Sequence, residues 1–239
     1  MANFVLVHGS WHGAWCWDHL RPRLEDHGHR LVVPDLPAHG DDPSSPWRVS
    51  LADYSAAVRR AASSASEPVV AVGHSMGGMA ISQAVADAPE LFCAAVYLCA
   101  FAPLPGDRIS SLARRDQETL LPSAVRLGTG GVSIRREKAA ELFYADCQQD
   151  LAEWATSRLR PDPYRPLLNR FQYAGSIQIP RAYIECTADQ AISLNRQREM
   201  AARAGIEIIA SLQTSHSPFL SRPDELADHL NGFVHTVAS

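Results

Sequence analysis

The 239-residue sequence lacks the features of several broad classes of protein. It has no run of Lys or Arg, and its 22 basic and 26 acidic side chains give a formal net charge of −4. This balance argues against a nucleic-acid or anionic-membrane surface as the main partner. No stretch approaches the roughly 18 apolar residues that a membrane-spanning helix needs. With 46% hydrophobic and 20% charged residues, the composition is that of a folded globular protein and excludes wholesale disorder, and small neutral or weakly charged ligands remain open.

Cysteine is also scarce. The five cysteines are widely spaced and form no CxxC pair: Cys16, Cys93, Cys99, Cys147 and Cys186. An odd number at such spacings favours reduced thiols over a disulfide framework or a zinc site. The N-terminal residues show neither the basic start nor the cleavage site of a signal peptide. From these observations we expect a cytoplasmic protein.

Short apolar runs recur along the chain, and each is followed by a loop and a helical pattern. The runs are nearly continuous rather than alternating, which is typical of strands buried on both faces of a parallel sheet. They cover residues 4–7, 31–33, 69–72, 94–98, 182–184 and 206–209. Strand and helix patterns in alternation predict an α/β fold, with a mostly parallel six-stranded sheet flanked by helices.

Three helical patterns have recognisable ends. One covers residues 17–24 and is predicted to end at Gly28. Another follows Ser50, which is a suitable N-cap residue. The terminal helix is predicted to begin at Ser221, with Asp224 three residues later completing a capping box.

Residues 103–179 break the alternation. They contain helical patches and a proline-dense segment but no strong strand signal. An insertion of this size predicts a helical cap, inserted after the fourth strand and lying over one end of the sheet. The predicted division is therefore a core of residues 1–102 and 180–239 and a cap of residues 103–179. Among the aromatic residues of the cap, we expect Phe143 and Trp154 to bind substrate.

The strongest motif is Gly73-His74-Ser75-Met76-Gly77, which lies between a buried apolar run and a helical pattern. It matches G-x-S-x-G in the strand–turn–helix setting that exposes a nucleophilic serine. The alternative interpretation is a glycine-rich helix start capped by a serine. The preceding strand pattern favours the first interpretation, in which Ser75 is a nucleophile.

A serine nucleophile needs a base, and ten histidines compete for that role. His216 fits best because it follows the last apolar run, and the loops after parallel strands gather the site of an α/β sheet. The order Ser, acid, His along the chain then favours Asp189, which follows the run at 182–184. Asp107 is the rival acid, and Glu185 is less suitable because it lies within the strand.

Acyl transfer also requires N–H donors for the oxyanion. The expected donors are the backbone amides of Met76, directly after the nucleophile, and of Ser10, in the loop after the first strand. His8 and His12 are four residues apart, but they flank a glycine-rich loop without an accompanying Glu, so no metal site is expected. No G-x-G-x-x-G follows a strand, and we expect no cofactor.

Together these motifs resemble the α/β-hydrolases, and more specifically the branch of plant methyl esterases (salicylate, jasmonate and alkaloid esterases) and hydroxynitrile lyases. The resemblance covers nearly the whole chain and is sharp at residues 8–17, 73–78 and 186–189 and in the loop of His216. It implies a triad of Ser75, His216 and Asp189 with the Ser10 and Met76 amides as oxyanion hole. It also implies that His12 lies beside the substrate pocket, which we expect Trp11 to line as well.

The departures from this branch favour one of its two activities. The lyases resemble one another in a lysine after the base histidine and a threonine in the oxyanion loop, whereas this chain has Ser217 and Ser10. Without a cation, a departing cyanide would be left unstabilised. The sequence therefore predicts hydrolysis of a small, largely apolar carboxylic ester, for which an aromatic methyl ester is one candidate. The alternatives are a lyase or polyketide-tailoring enzyme that uses the triad as acid and base, and a small-ligand binding module with residual esterase activity. A homodimer is left open.

Overall fold

The predicted sheet is present. The computed structural model describes residues 1–175 and 177–237, so residue 176 of the predicted cap and the last two residues of the core lie outside the described part. The strands are β1 Asn3–Val7, β2 Arg30–Val32, β3 Val69–His74, β4 Phe92–Leu98, β5 Val125–Gly128, β6 Gly131–Ile134, β7 Arg181–Cys186 and β8 Glu207–Leu212. Six of them form one sheet in the order β2-β1-β3-β4-β7-β8 with parallel neighbours throughout. The predicted fold class is confirmed.

Burial on both faces explains the nearly continuous apolar runs. All six residues of β3 are buried. In β1, Phe4 and Leu6 belong to one hydrophobic core, and Val5 and Val7 belong to a second. Because successive side chains of a strand point to opposite faces, a sheet covered on both sides requires apolar residues at every position.

Helices pack on both faces of the sheet. They are α1 Arg21–Asp26, α2 Leu51–Ser63, α3 Gly77–Asp87, α4 Ile109–Arg114, α5 Leu121–Ala124, α6 Arg136–Phe143, α7 Gln149–Arg158, α8 Tyr164–Leu168, α9 Leu194–Ala204, α10 Pro218–Ser221 and α11 Pro223–Val237. Leu24 of α1 and Leu230 of α11 pack in the first core. Val58 of α2, Ile81 of α3 and Met200 of α9 pack in the second.

Two of the three predicted helix ends are confirmed. The Ser50 N–H donates to the Asp53 carboxylate at 2.8 Å at the start of α2. Gly28 follows α1 with a φ of +80°, although the predicted helix is split into a 3₁₀ turn and α1. The prediction for Ser221 is wrong, because Ser221 is the last residue of α10. This short helix begins at Pro218, because proline is pre-organised for the first position of a helix.

The cap contains a β-hairpin that the sequence did not predict. The chain leaves the sheet between β4 and β7, and there it forms α4 to α8 together with the antiparallel pair β5 and β6. The two strands have four residues each and are joined by Thr129 and Gly130. Three of the four residues of β5 are exposed, whereas those of β6 are buried or half-buried. Strands of four residues offer too few positions to establish a strand pattern in the sequence.

The five cysteines are free, as their spacing predicted. Cys93, at the amino end of β4, is exposed, and Cys147 is half-buried. The remaining three are buried, and burial raises the pKa of Cys16 and Cys99 well above the ordinary value of a thiol. No helix within residues 1–175 or 177–237 is both long and apolar enough to cross a membrane.

Candidate active site

Ser75 occupies a sharp turn between β3 and α3. Its φ is +53°, in the left-handed region that a residue with a Cβ rarely adopts. The turn is tight enough to demand glycine on both sides: a Cβ on Gly73 would lie 2.7 Å from the backbone of Gly77, and a Cβ on Gly77 would lie 2.6 Å from the carbonyl oxygen of Val7. The glycines of the motif therefore have a steric role, as the G-x-S-x-G pattern implied.

The strained turn is fixed by β4 and the segment after it. The Ser75 N–H donates to the Leu98 carbonyl at 3.2 Å, and the Ser75 carbonyl accepts from Phe101 N–H at 3.0 Å. The turn is followed at once by α3, whose positive N-terminal end faces this region. The turn thus places Ser75, which is 6% exposed, at the carboxyl end of a buried strand.

The structure brings Asp189 to His216. His216 lies in the loop between β8 and α10 with its side chain 2% exposed, and its Nδ1 is 2.7 Å from Asp189 Oδ2. The other carboxylate oxygen, Oδ1, accepts from Ala191 N–H at 2.7 Å and Ile192 N–H at 3.0 Å. Donors at both oxygens fix the orientation of the carboxylate.

The rival acids lie elsewhere. Asp107 accepts from Leu104 N–H at 3.0 Å and pairs with Arg203 at 3.4 Å. Glu185 pairs with Arg198 at 2.7 Å, and this arginine lowers the pKa of the glutamate. Neither carboxylate contacts His216 in the part of the chain that the structure describes.

Gln197 is a buried residue that supports Asp189 and that the sequence did not reveal. Its amide nitrogen donates to Asp189 Oδ2 at 3.3 Å, to Ile192 O at 2.8 Å and to Cys186 O at 3.0 Å. Its oxygen accepts from Cys186 N–H at 3.0 Å. Gln197 thereby links the end of β7 to α9 and to the loop that carries Asp189. A glutamine within an amphipathic helix carries no local signal of this role.

The oxyanion loop, defined here as residues 8–13, packs directly against the nucleophile. A Cβ on Gly9 would lie 2.7 Å from Ser75 Cβ, so only glycine permits this approach. Within the described part of the chain, neither the Ser10 N–H nor the Met76 N–H donates to a protein acceptor. Both predicted oxyanion donors are therefore free to bind a ligand oxygen.

Two buried histidines hold the oxyanion loop. His8 Nδ1–H donates to Gly9 O at 2.9 Å, and its Nε2 accepts from Leu36 N–H at 3.0 Å. His12 Nδ1–H donates to Ser10 O at 2.7 Å. Burial lowers the pKa of His8 well below its ordinary value and the pKa of His12 to about 4, so both rings are neutral at pH 7.

The Ser10 carbonyl determines which nitrogen of His12 carries the proton, because a carbonyl oxygen can only accept and Nδ1 must therefore donate to it. In the neutral ring Nε2 is then an acceptor, and the Tyr144 hydroxyl donates to it at 2.8 Å, although the two residues are 132 positions apart. His12 thus lies behind the oxyanion loop, where it contacts Trp15 and Phe143, and it does not line the cavity beside Ser75. Because Phe143 lines the cavity, His12 lies one side chain away from it, and a role of His12 in substrate binding stays a prediction.

A cavity of about 120 Å³ opens beside Ser75 and His216. Its polar lining residues are Ser10, Ser75, Ser110 and His216, and its other walls are apolar or aromatic: Trp11, Phe101, Ile109, Ala113, Leu121, Val125, Val132, Phe143, Leu167, Ala191 and Ile192. Trp11 and Phe143 line it as expected. Among the described residues, no Asp, Glu, Lys or Arg side chain does.

Trp154 lies outside this cavity, contrary to expectation. It faces an open surface groove with His19 and Leu151 and packs edge-on against Trp15, with ring centroids 5.3 Å apart. The guanidinium of Arg158 lies 4.3 Å from its ring centroid. The ring therefore fastens α7 to the 3₁₀ turn after the oxyanion loop.

One group of side chains has the spacing of a metal site: His74, Cys99 and His216, whose candidate ligand atoms lie within 4.8 Å of one another. His74 Nε2–H donates to the His216 carbonyl at 2.9 Å. Burial raises the pKa of the Cys99 thiol, which disfavours the thiolate that a metal would bind. The group fits better as packing beneath His216.

Comparison with known proteins identifies the family of the chain. The model of the alpha/beta hydrolase family matches residues 4–229. Methylesterase 1 of Arabidopsis thaliana is 30% identical over 251 residues, covering 95% of this chain and 94% of its own. Salicylic acid-binding protein 2 of Nicotiana tabacum is 31% identical over 257 residues, covering 98% and 97%.

The structural comparison extends to a bacterial enzyme. A pyrethroid hydrolase from Sphingobium faniae superposes with a TM-score of 0.86 at 26% identity, covering 99% of this chain and 98% of its own. Relatives of the chain thus include methylesterases, which are carboxylic ester hydrolases. The chain belongs to the alpha/beta hydrolase family.

Proposed function

We propose that this protein hydrolyses a small, largely apolar carboxylic ester through an acyl-enzyme, with Ser75 as nucleophile, His216 as general base and Asp189 as its partner. The observation that carries the proposal is the 2.7 Å contact between His216 Nδ1 and Asp189 Oδ2 at the cavity that Ser75 also lines. Serine becomes a useful nucleophile only beside an oriented base, and this contact supplies the orientation.

In the proposed reaction, Ser75 Oγ attacks the ester carbonyl while His216 Nε2 takes its proton. Asp189 accepts the Nδ1–H of the ring and stabilises the imidazolium that forms. The oxyanion binds the Ser10 and Met76 N–H groups, and His216 returns the proton to the departing alcohol. Water then attacks the acyl-enzyme with His216 again as base, which releases the acid and restores Ser75.

The lining of the cavity supports an uncharged substrate. Apart from three serines and His216, its walls are apolar or aromatic. A charged group bound there would lose its hydration without gaining a partner, which is costly. The residue after His216 is Ser217, and no cationic side chain among the described residues lines the cavity. This favours ester hydrolysis over cyanohydrin cleavage. In ester hydrolysis the charge that develops in the reaction rests on the two N–H donors, whereas cyanide departs from carbon as an anion and would need a cation in the cavity.

The central experiment compares the wild-type protein with Ser75→Ala on a panel of p-nitrophenyl and aromatic methyl esters. We expect kcat to fall by about 10³-fold or more, since the acyl-enzyme cannot form. A fluorophosphonate should add to Ser75 of the wild type, as located by peptide mass spectrometry. Ser63→Ala, at an exposed site at the end of α2, is the matched control and should keep full activity.

Each alternative gives a different result. Near-wild-type hydrolysis by Ser75→Ala would remove the nucleophilic mechanism. Release of aldehyde from an aromatic cyanohydrin, at a rate above that of any ester, would indicate a lyase. Turnover below about one per minute on every ester, together with tight binding of the same compounds, would indicate a binding module.

A further inference from the structure

Asp162 is a buried carboxylate in the cap, between α7 and α8, and it contacts the oxyanion loop. Its side chain is fully buried, and its Oδ1 accepts two hydrogen bonds: from Trp11 N–H at 2.6 Å and from His39 Nε2–H at 2.8 Å. Its backbone pairs with Val132 of β6 in both directions, at 2.8 and 2.9 Å. Asp162 therefore joins the cap, the oxyanion loop and the loop after β2.

Trp11 is held by the cap at two further points. Its carbonyl accepts from Arg160 N–H at 3.0 Å, and its indole N–H donates to Val132 O at 2.7 Å. Its φ of +63° lies in the left-handed region, which is unfavourable for a bulky side chain. Such a conformation persists only where surrounding contacts impose it, and here three contacts come from the cap.

The contact with Asp162 bears on the peptide next to the oxyanion donor. The Ser10–Trp11 peptide is fixed at both ends, because its N–H donates to Asp162 and its carbonyl accepts from His12 Nδ1–H at 2.7 Å. The Ser10 N–H belongs to the preceding peptide group, which is separated from the Ser10–Trp11 peptide only by the φ and ψ angles of Ser10. If Trp11 relaxed to an ordinary φ, the Ser10–Trp11 peptide would rotate, and the preceding peptide with the Ser10 N–H would turn with it.

We propose that Asp162 is a positioning residue for the oxyanion hole: by binding the Trp11 N–H, it holds the Ser10 N–H at the angle that the reacting carbonyl requires. This inference rests on the proposed function. The cap then does more than line the cavity, because one of its carboxylates sets the geometry of a catalytic loop in the core.

The free oxygen of Asp162 makes a selective test available. Oδ2 is buried and has no hydrogen-bond partner among the described residues. Asp162→Asn can therefore keep both hydrogen bonds at Oδ1, with its NH2 group in the place of Oδ2. Asp162→Leu has a similar shape but no acceptor, and Asp162→Ser, whose hydroxyl is one bond shorter, serves if leucine prevents folding. Leu142→Ala removes buried side-chain volume from α6, outside the cavity lining, and controls for a weakened cap.

The experiment measures kcat, KM and melting temperature on an activated ester, together with affinity for a trifluoromethyl ketone, which forms a tetrahedral oxyanion on Ser75. For Asp162→Leu or Asp162→Ser, we expect kcat to fall about 10- to 100-fold with KM within threefold, and ketone affinity to fall by the same factor as kcat. Asp162→Asn should stay within threefold of wild type in kcat. Leu142→Ala should lower the melting temperature and keep kcat within threefold.

The outcomes separate this inference from the proposed function. An unchanged kcat in both Asp162→Leu and Asp162→Ser, with Ser75→Ala inactive, would overturn the inference and leave the esterase proposal standing. Equal losses of kcat in Leu142→Ala and Asp162→Leu would show a structural role only and also overturn it. Activity in Ser75→Ala would remove the proposed function itself.

Discussion

Neutral, buried histidines shape the oxyanion loop at the level of single residues. His8 and His12 each donate from Nδ1 to a loop carbonyl and accept at Nε2, from Leu36 N–H and from the Tyr144 hydroxyl. A protonated ring has no acceptor, so protonation would break the contact of His8 with the Leu36 N–H and would reverse the direction of the contact between His12 and the Tyr144 hydroxyl. The arrangement described here therefore has both rings uncharged, which burial favours near neutral pH.

His12 makes this dependence measurable. Its pKa is lowered from 6.5 to about 4 in the folded protein. Because the folded pKa is depressed, the unfolded chain binds a proton first as the pH falls, and stability is lost between about pH 6.5 and 4. From pH 7.5 to 4.5, we expect His12 to account for about 2.5 kcal/mol of lost unfolding free energy.

Urea unfolding of the wild type and of His12→Asn at the two pH values isolates this contribution. The asparagine can keep a donor near Ser10 O but does not titrate. The variant should be less stable at pH 7.5, yet it should lose about 2.5 kcal/mol less than the wild type on acidification. Buried His8 and His74 titrate in both proteins, and they cancel in the comparison apart from the part of their lowered pKa that His12 itself causes. An equal pH dependence of the two proteins would contradict the prediction.

Among the elements, the hairpin of β5 and β6 is small but closely fitted to the segment that carries Asp162. Gly131 has a φ of +122°, and a Cβ there would lie 2.2 Å from the Asp162 carbonyl oxygen. At the neighbouring Gly130, a Cβ would meet nothing within 4 Å. Two adjacent glycines thus have opposite steric demands.

We expect Gly131→Ala to lower the free energy of unfolding by about 2 kcal/mol or more, because it both strains the backbone and separates β6 from Asp162. Gly130→Ala should change it by no more than about 0.5 kcal/mol. Chemical denaturation of both variants, with esterase activity measured in parallel, provides the comparison. Similar free energies of unfolding for the two variants would contradict the prediction, because the hairpin would then accommodate the added Cβ without losing stability.

The elements also mark the limit of what the sequence predicts. The four inner strands of the sheet, β1, β3, β4 and β7, were predictable because burial on both faces requires a continuous apolar run. Ser75 was predictable because its turn requires flanking glycines. Asp162 and Gln197 were not, since their roles arise from contacts with Trp11 and Asp189 that only the folded chain creates. The hairpin was missed because its strands have only four residues each and β5 is largely exposed.

For the molecule as a whole, the cap and the core enclose an uncharged space. Val132 and Phe143 of the cap face Ser75 and His216 of the core across the cavity. With no charged side chain among the described lining residues, discrimination against ionised substrates follows from desolvation alone.

A matched pair of substrates tests this discrimination. Methyl 4-acetylbenzoate and monomethyl terephthalate have similar size, but only the second is an anion at pH 7. We expect kcat/KM to be at least about 100-fold higher for the neutral ester, since an unpaired buried charge costs several kcal/mol. Rates of alkaline hydrolysis without enzyme correct for intrinsic reactivity. A ratio below about ten would mean that the carboxylate finds a partner.

The position of Cys93 allows the oligomeric state of the protein to be measured with a fluorescent label. It is the exposed cysteine of the five and lies at the amino end of β4, whereas the catalytic groups collect at the carboxyl ends of the strands, about 15–20 Å away along the sheet. A maleimide fluorophore would attach there at mildly alkaline pH, because partial burial raises the pKa of this thiol. Its anisotropy decay would report whether one chain or two tumble together, while the chemistry at Ser75 proceeds undisturbed.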